Sequence, residues 1–224
     1  MAPEERHSEA LEAELIADPE EKAHREARNV LRQFDSAVEQ IEFWTHPGQQ
    51  TFKLRPSAIM ALNRVALDGL SGYAGVYRPA GIAIGGSKHT PPGAHLVPEL
   101  VEQMCEYVNE NWNRTAVHLA SYVLWRLNWI HPFVDGNGRT SRIVSFVVLC
   151  VRTGYRLPGT NTVPDQISRD KNPYYQALEL ADAAYQGGES VEVSAMEKLV
   201  GQLLANQLAS VIQDAQTERS RPTA

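Results

Sequence analysis

A chain of 224 residues with 43% apolar side chains is long enough for one domain with a sizeable core plus a small appendage. Its formal charge of −6, without a basic run or a zinc-type spacing, argues against a nucleic-acid groove, and no apolar stretch approaches the length of a membrane span. The N-terminal run MAPEERHSEALEAELIADPEEK is charged where an export signal would be apolar, so the cytoplasm is the expected location. Cys105 and Cys150 both fall in apolar helical runs, which predicts buried thiols rather than a disulfide or a metal pair.

In chain order, Pro3 to about Gln40 is dense in Glu, Ala and Arg, with apolar residues at Leu11, Leu15, Val30, Leu31 and Phe34. This predicts one or two amphipathic helices with a break near Asp18 and Pro19. Thr45 to Gln50 reads as a turn, and Arg55-Pro56-Ser57 as the start of a helix over Ala58 to Leu67, with Ser57 a possible cap. In Tyr77 to Pro92, the residues Ile82, Ala83 and Ile84 predict a short strand. Gly85-Gly86-Ser87 predicts a turn and Lys88 to Thr90 a return strand. An amphipathic helix follows over Pro98 to Trp112, then a mostly buried helix over Thr115 to Ile130 and a second buried helix over Ile143 to Val151. Pro173-Tyr174-Tyr175 opens another helix, Val191 to Gln213 is the last, and the polar tail Thr217 to Ala224 is expected to fray. The expected architecture is all-α with one small β-hairpin. It divides into an N-terminal helical extension (1–44), a central domain (45–190) and a C-terminal helix and tail (191–224).

The segment His131 to Arg142, reading HPFVDGNGRTSR, holds the most chemistry per residue. Pro132 cannot continue the preceding helix. Asp135, Gly136, Asn137 and Gly138 are turn formers with access to positive φ. The Gly-rich turn and the backbone N–H groups of the following helix would form an anion-binding concavity. Arg139 and Arg142 stand three apart on one helix face and could clamp phosphate oxygens. Asp135 is a hard oxygen donor of the kind Mg²⁺ takes beside substrate phosphates. His131 could accept a proton from an incoming hydroxyl. Together these residues predict phosphate chemistry on a nucleotide.

The same run resembles the signature HPFx(D/E)GNGRxxR of the Fic, or Fido, proteins, and a GxYR element recurs as Gly75-Val76-Tyr77-Arg78. The resemblance implies a Fic-type helical domain with a β-hairpin flap that transfers AMP from ATP, with Mg²⁺, to a Ser, Thr or Tyr hydroxyl of a target protein. It implies His131 as general base, Phe133 as buried anchor and Asp135 as the Mg²⁺ ligand. Asn137 would meet the α-phosphate, Gly136 and Gly138 would line the anion hole, and Arg139 and Arg142 would hold the β- and γ-phosphates. Gly at position 138, rather than Lys, favours adenylyl transfer over the kinase-like Doc branch. The flap residues Ile82, Ala83, Ile84, Gly85 and Gly86 would dock an extended target segment by strand pairing. Tyr174 or Tyr175 would meet the adenine. Removal of AMP, transfer from another nucleotide, and a nucleotide-binding regulatory or toxin-like module with little catalysis are the alternatives.

Many members of that family carry an inhibitory helix with the pattern (S/T)xxxE(G/N). Asp35 to Gln40 approaches it, which makes Glu39 a candidate inhibitory glutamate, and Ser8 to Glu12 approaches it less well. Restraint could instead come from a separate inhibitory protein or from homo-oligomerisation. His118 and His95 each stand alone and read as structural histidines.

Overall fold

A computed structural model of the chain describes residues 8–9, 15–188 and 191–219. Among these residues it contains eight α-helices: α1 (Pro19–Thr45), α2 (Pro56–Ala66), α3 (Val97–Glu110), α4 (Ala116–Ile130), α5 (Asn137–Thr153), α6 (Val163–Arg169), α7 (Asn172–Gly188) and α8 (Ser194–Arg219). The expected all-α architecture is what forms.

Helix α1 starts where Asp18 accepts the Glu21 N–H at 2.8 Å, with Pro19 in the first turn. Asp18 and Pro19 therefore mark a helix start, as a capping residue followed by proline should. Helix α2 begins one residue before the expected Ser57 cap: Arg55 occupies the cap position without a side-chain bond, and Pro56 supplies the preset φ. Thr115 caps α4 by accepting the His118 N–H at 3.1 Å.

Helix α4 is buried on almost every face, including Leu119, Val123, Leu124 and Leu127, which marks it as the central helix. It packs most extensively on α5, and also on α3, α7 and α8, while α1 lies on α2 and α5. The hairpin between α4 and α5 is thus held on both sides by core. Cys105 and Cys150 are buried free thiols, and burial pushes their pKa values up to about 12 and about 11.

The β structure is smaller than the sequence suggests. Strand β2 covers only Ala83–Ile84, without Ile82, and the expected turn follows it, with Ser87 N–H donating to the Ile84 carbonyl at 3.1 Å. Lys88 to Thr90 form no return strand. Instead β2 pairs antiparallel with β1 (Ser8–Glu9), Ser8 opposite Ile84 and Glu9 opposite Ala83. A two-residue strand has too short an alternation for its partner to be read from sequence.

Candidate active site

Helix α4 ends at His131, whose backbone is left-handed at φ 50°, ψ 60°. Among the described residues it is the one non-glycine with positive φ. Such a conformation costs an L-residue on the order of 1–2 kcal/mol and persists only where its surroundings enforce it. The enforcement is visible. Arg78 donates Nε to the His131 carbonyl at 2.8 Å, and the Arg78 N–H donates to the Pro132 carbonyl at 2.9 Å.

The imidazole is 6% exposed. Its Nδ1 lies 3.3 Å from the Asn128 carbonyl, which can only accept, so Nδ1 carries the hydrogen and Nε2 is the basic nitrogen. Burial pushes the His131 pKa down to about 4; the Asn128 carbonyl offsets part of this, and the charges of Arg78 and His89 add to it. The ring is therefore neutral at physiological pH.

The loop after His131 is built around two side chains. Phe133 is fully buried, its ring 5.9 Å from that of Tyr77. Asn137 accepts the Phe133 N–H at 2.9 Å and donates to the Phe133 carbonyl at 2.8 Å. These two bonds give the turn its shape, and Asn137, expected at the α-phosphate, also lines the cavity. Gly136 caps α5 at φ 73°, and a Cβ there would lie 3.1 Å from Asn63 Nδ2. Neither the torsion nor the space suits another residue. Gly138 has an ordinary backbone, but a Cβ would lie 3.3 Å from Arg142 Nη1. Its small size lets the Arg142 guanidinium pass over the turn.

Asp135 is exposed, and its Oδ2 lies 3.0 Å from Arg139 Nη2. Arg139 and Arg142 are both half-buried and line one cavity with Asp135, Gly136, Asn137, Gly138 and His131. This cavity of about 790 Å³ also takes in Ile84, Ser87 and His89 from the flap region, Trp129 from α4, and Lys171, Tyr175 and Asp182 near α7. The size suits a nucleotide-sized ligand. Tyr175 is half-buried there. Tyr174 also lines the cavity; it is 2% exposed, and its hydroxyl lies 2.6 Å from Asn128 Nδ2.

No group of three or more His, Cys, Asp or Glu able to hold a metal occurs among the described residues. The exposed carboxylate of Asp135 fits a hard divalent ion whose other ligands come from bound phosphates and water.

Glu39 is exposed and does not line the cavity. Its helix reaches the site one end earlier, through Ala23, Glu26, Ala27 and Val30, and Glu26 is half-buried there. The other inhibitory candidate, Glu12, lies outside the described residues. His118 is tied to Glu197 at 2.6 Å and to the Tyr107 hydroxyl at 2.9 Å, a structural link between α3, α4 and α8.

Two supports were not singled out from the sequence, and a third was named there without a role. Asn63 is fully buried on α2 and donates Nδ2 to the Asp135 carbonyl at 3.1 Å and to Thr140 Oγ1 at 3.2 Å, while its Oδ1 accepts the Gly75 N–H at 3.0 Å. Asn128 is the other, and Arg78, expected only as part of the GxYR element, is the third. An amide on an apolar helix face was the available signal for Asn63.

A buried histidine and an Arg-flanked glycine turn thus meet at the end of a helical hairpin, and comparison with known proteins shows what this arrangement resembles. The Fic/DOC family model matches residues 53–149, so this stretch is similar to that family. Over 110 residues it is 36% identical to the protein adenylyltransferase Fic of Drosophila yakuba, covering 48% of this chain and 20% of that protein. Over 138 residues it is 33% identical to the protein of the same name from Drosophila persimilis, covering 59% and 25%. The matched region thus spans about a quarter or less of these curated relatives. Among solved structures, a Fic domain-containing signaling protein from Bacteroides thetaiotaomicron aligns with a TM-score of 0.69 at 21% identity, over 93% of this chain and 78% of that one. Fic-1 from C. elegans aligns with a TM-score of 0.67 at 18% identity, over 91% and 55%. These two likenesses establish the fold.

Proposed function

We infer that the chain is a Mg²⁺-dependent protein adenylyltransferase acting on a Ser, Thr or Tyr hydroxyl, with ATP as donor. The observation that carries this reading is the neutral, buried His131 at the edge of a cavity that also presents Arg139 and Arg142. The names of the curated relatives point the same way.

In this mechanism ATP lies in the cavity with its triphosphate over the Gly136 to Arg142 turn. A target hydroxyl attacks the α-phosphorus, its proton passes to Nε2 of His131, and pyrophosphate leaves. The Nδ1 bond to Asn128 keeps the ring in the tautomer this transfer needs. Arg139 and Arg142 offset charge that develops on the departing phosphates. Mg²⁺, held by Asp135, would supply further charge neutralisation on the same oxygens. The flap would align an extended target segment, and Tyr175, the more exposed of the two cavity-lining tyrosines, would meet the adenine. A cytoplasmic setting belongs to the same reading.

A second reading, removal of AMP from a modified protein, gains support from Glu26, a half-buried carboxylate at the cavity wall that could activate water. Incubation with ATP labelled at the α-phosphate and a source lysate tests the first reading, with mass spectrometry of the labelled protein. An adduct of AMP is expected; a phosphate-only adduct would overturn it.

A further inference from the structure

We propose that Arg78 is a positioning residue that couples the flap to the catalytic histidine. Its side chain is 3% exposed, yet no carboxylate pairs with it in the bonds the structure records. Nε donates to the His131 carbonyl at 2.8 Å and Nη1 to the Ala80 carbonyl at 2.9 Å, while Nη2 donates to the carbonyl of Pro92 and, at 3.4 Å, to that of Ile130. Ala80 and Pro92 are the two roots of segment 81–91, which contains β2 and His89; Ile130 and His131 are the end of α4.

A buried cation held by carbonyl dipoles alone is costly, and a hydrophobic side chain would fill the space with less desolvation. What the guanidinium adds is geometry: a rigid planar fork whose donors meet three separate stretches of backbone at fixed angles. One arm holds the carbonyl of the left-handed His131, and the others hold the two ends of the flap. A shift of the flap roots therefore moves the plane that fixes the His131 backbone, and the base and the target-docking edge keep one relative position. Lysine, a single ammonium on a flexible stem, cannot meet these carbonyls together.

The proposal rests on His131 as proton acceptor and on the flap as target-docking edge. In its test, Arg78→Lys is compared with the wild type for ATP affinity by calorimetry, for kcat and target KM in transfer, and for amide hydrogen exchange across 81–91. The expected result is unchanged ATP affinity and a combined loss in kcat/KM for the target of roughly 10- to 100-fold, the effect of misplacing reacting groups by about an ångström. Faster exchange should appear at 81–91, together with a shifted His131 ring resonance. Should Arg78→Lys not fold, Arg78→Gln is measured in the same way. Unchanged transfer would overturn the proposal, as would parallel losses of ATP binding and transfer, the mark of a merely structural residue. If the wild type itself transfers no AMP, the adenylyltransferase reading fails separately. The coupling is then decided by exchange at 81–91 and the His131 resonance, both of which must change for it to stand.

Discussion

Asp135 and Arg139, the expected metal ligand and the expected phosphate clamp, are paired with each other, Oδ2 to Nη2 at 3.0 Å, from the loop to the first turn of α5. A metal on Asp135 and phosphate oxygens on Arg139 must both replace this contact. The cost is small, because an ion pair with an exposed carboxylate contributes only about 0–1 kcal/mol. The pair keeps both groups over the glycine turn and yields readily to a charged ligand.

A prediction for the clamp follows. Arg139→Ala or Arg142→Ala should weaken ATP much more than AMP, because only ATP offers β- and γ-oxygens to the guanidiniums. A loss on the order of tenfold or more, about 1.4 kcal/mol or above, is expected for ATP with Mg²⁺. Calorimetry with both nucleotides checks it; equal losses would mean that the arginines act on the shape of the loop.

For the base, His131→Ala should leave ATP affinity nearly intact while transfer falls by about 10²- to 10⁴-fold, the usual range for a general base. The left-handed backbone at position 131 suits alanine no better than histidine. His131→Asn, a residue that tolerates this region, is therefore the control for loop distortion. Full activity in both variants would remove His131 from the mechanism.

Histidine burial also sets a pH dependence. The His131 ring titrates near 6.5 when unfolded and near about 4 when folded. Between these values the unfolded chain binds the extra proton, so this residue destabilises the fold as pH falls from 6.5 toward 4 and is neutral in effect above 6.5. Urea unfolding at pH 7 and pH 5 should show His131→Asn losing about 2 kcal/mol less than the wild type over that interval, from about 1.4 kcal/mol per pH unit. Identical losses would show that the ring is solvated.

Much of this site was legible in sequence because its determinants are local. Pro132 stops α4, Gly136 supplies the left-handed cap of α5, and Thr115 marks the other end of α4. The supports are distant: Arg78 reaches His131 across 53 positions and Asn63 reaches the Asp135 carbonyl across 72, and no periodicity encodes such meetings. Strand β2 was read with a neighbour in sequence and pairs with Ser8–Glu9 instead. The glutamate at the cavity was missed for another reason. The pattern used to find it demanded a hydroxyl residue and a following Gly or Asn, whereas Glu26 has Lys22 and Ala27 at those positions. Which turn of a 27-residue helix faces a cleft depends on tertiary packing.

Glu26 gives the last prediction. It is half-buried in the wall that also holds Arg139 and Arg142, so its carboxylate adds negative charge where a triphosphate would lie, in a site less screened than open water. Glu26→Gln keeps shape and helix propensity while removing that charge, whereas glycine there would cost about 1 kcal/mol of helix stability. ATP affinity should rise on the order of tenfold, about 1.4 kcal/mol, and self-modification with it. The exposed Glu39, outside the cavity, serves as control, and Glu39→Gln should change neither quantity. The rival reading makes a different demand. If Glu26 activates water for removal of AMP, Glu26→Gln should abolish release of AMP from a modified protein, measured with purified adduct in the absence of ATP. Unchanged ATP affinity together with unchanged AMP release would leave Glu26 as a wall residue without a part in either reaction.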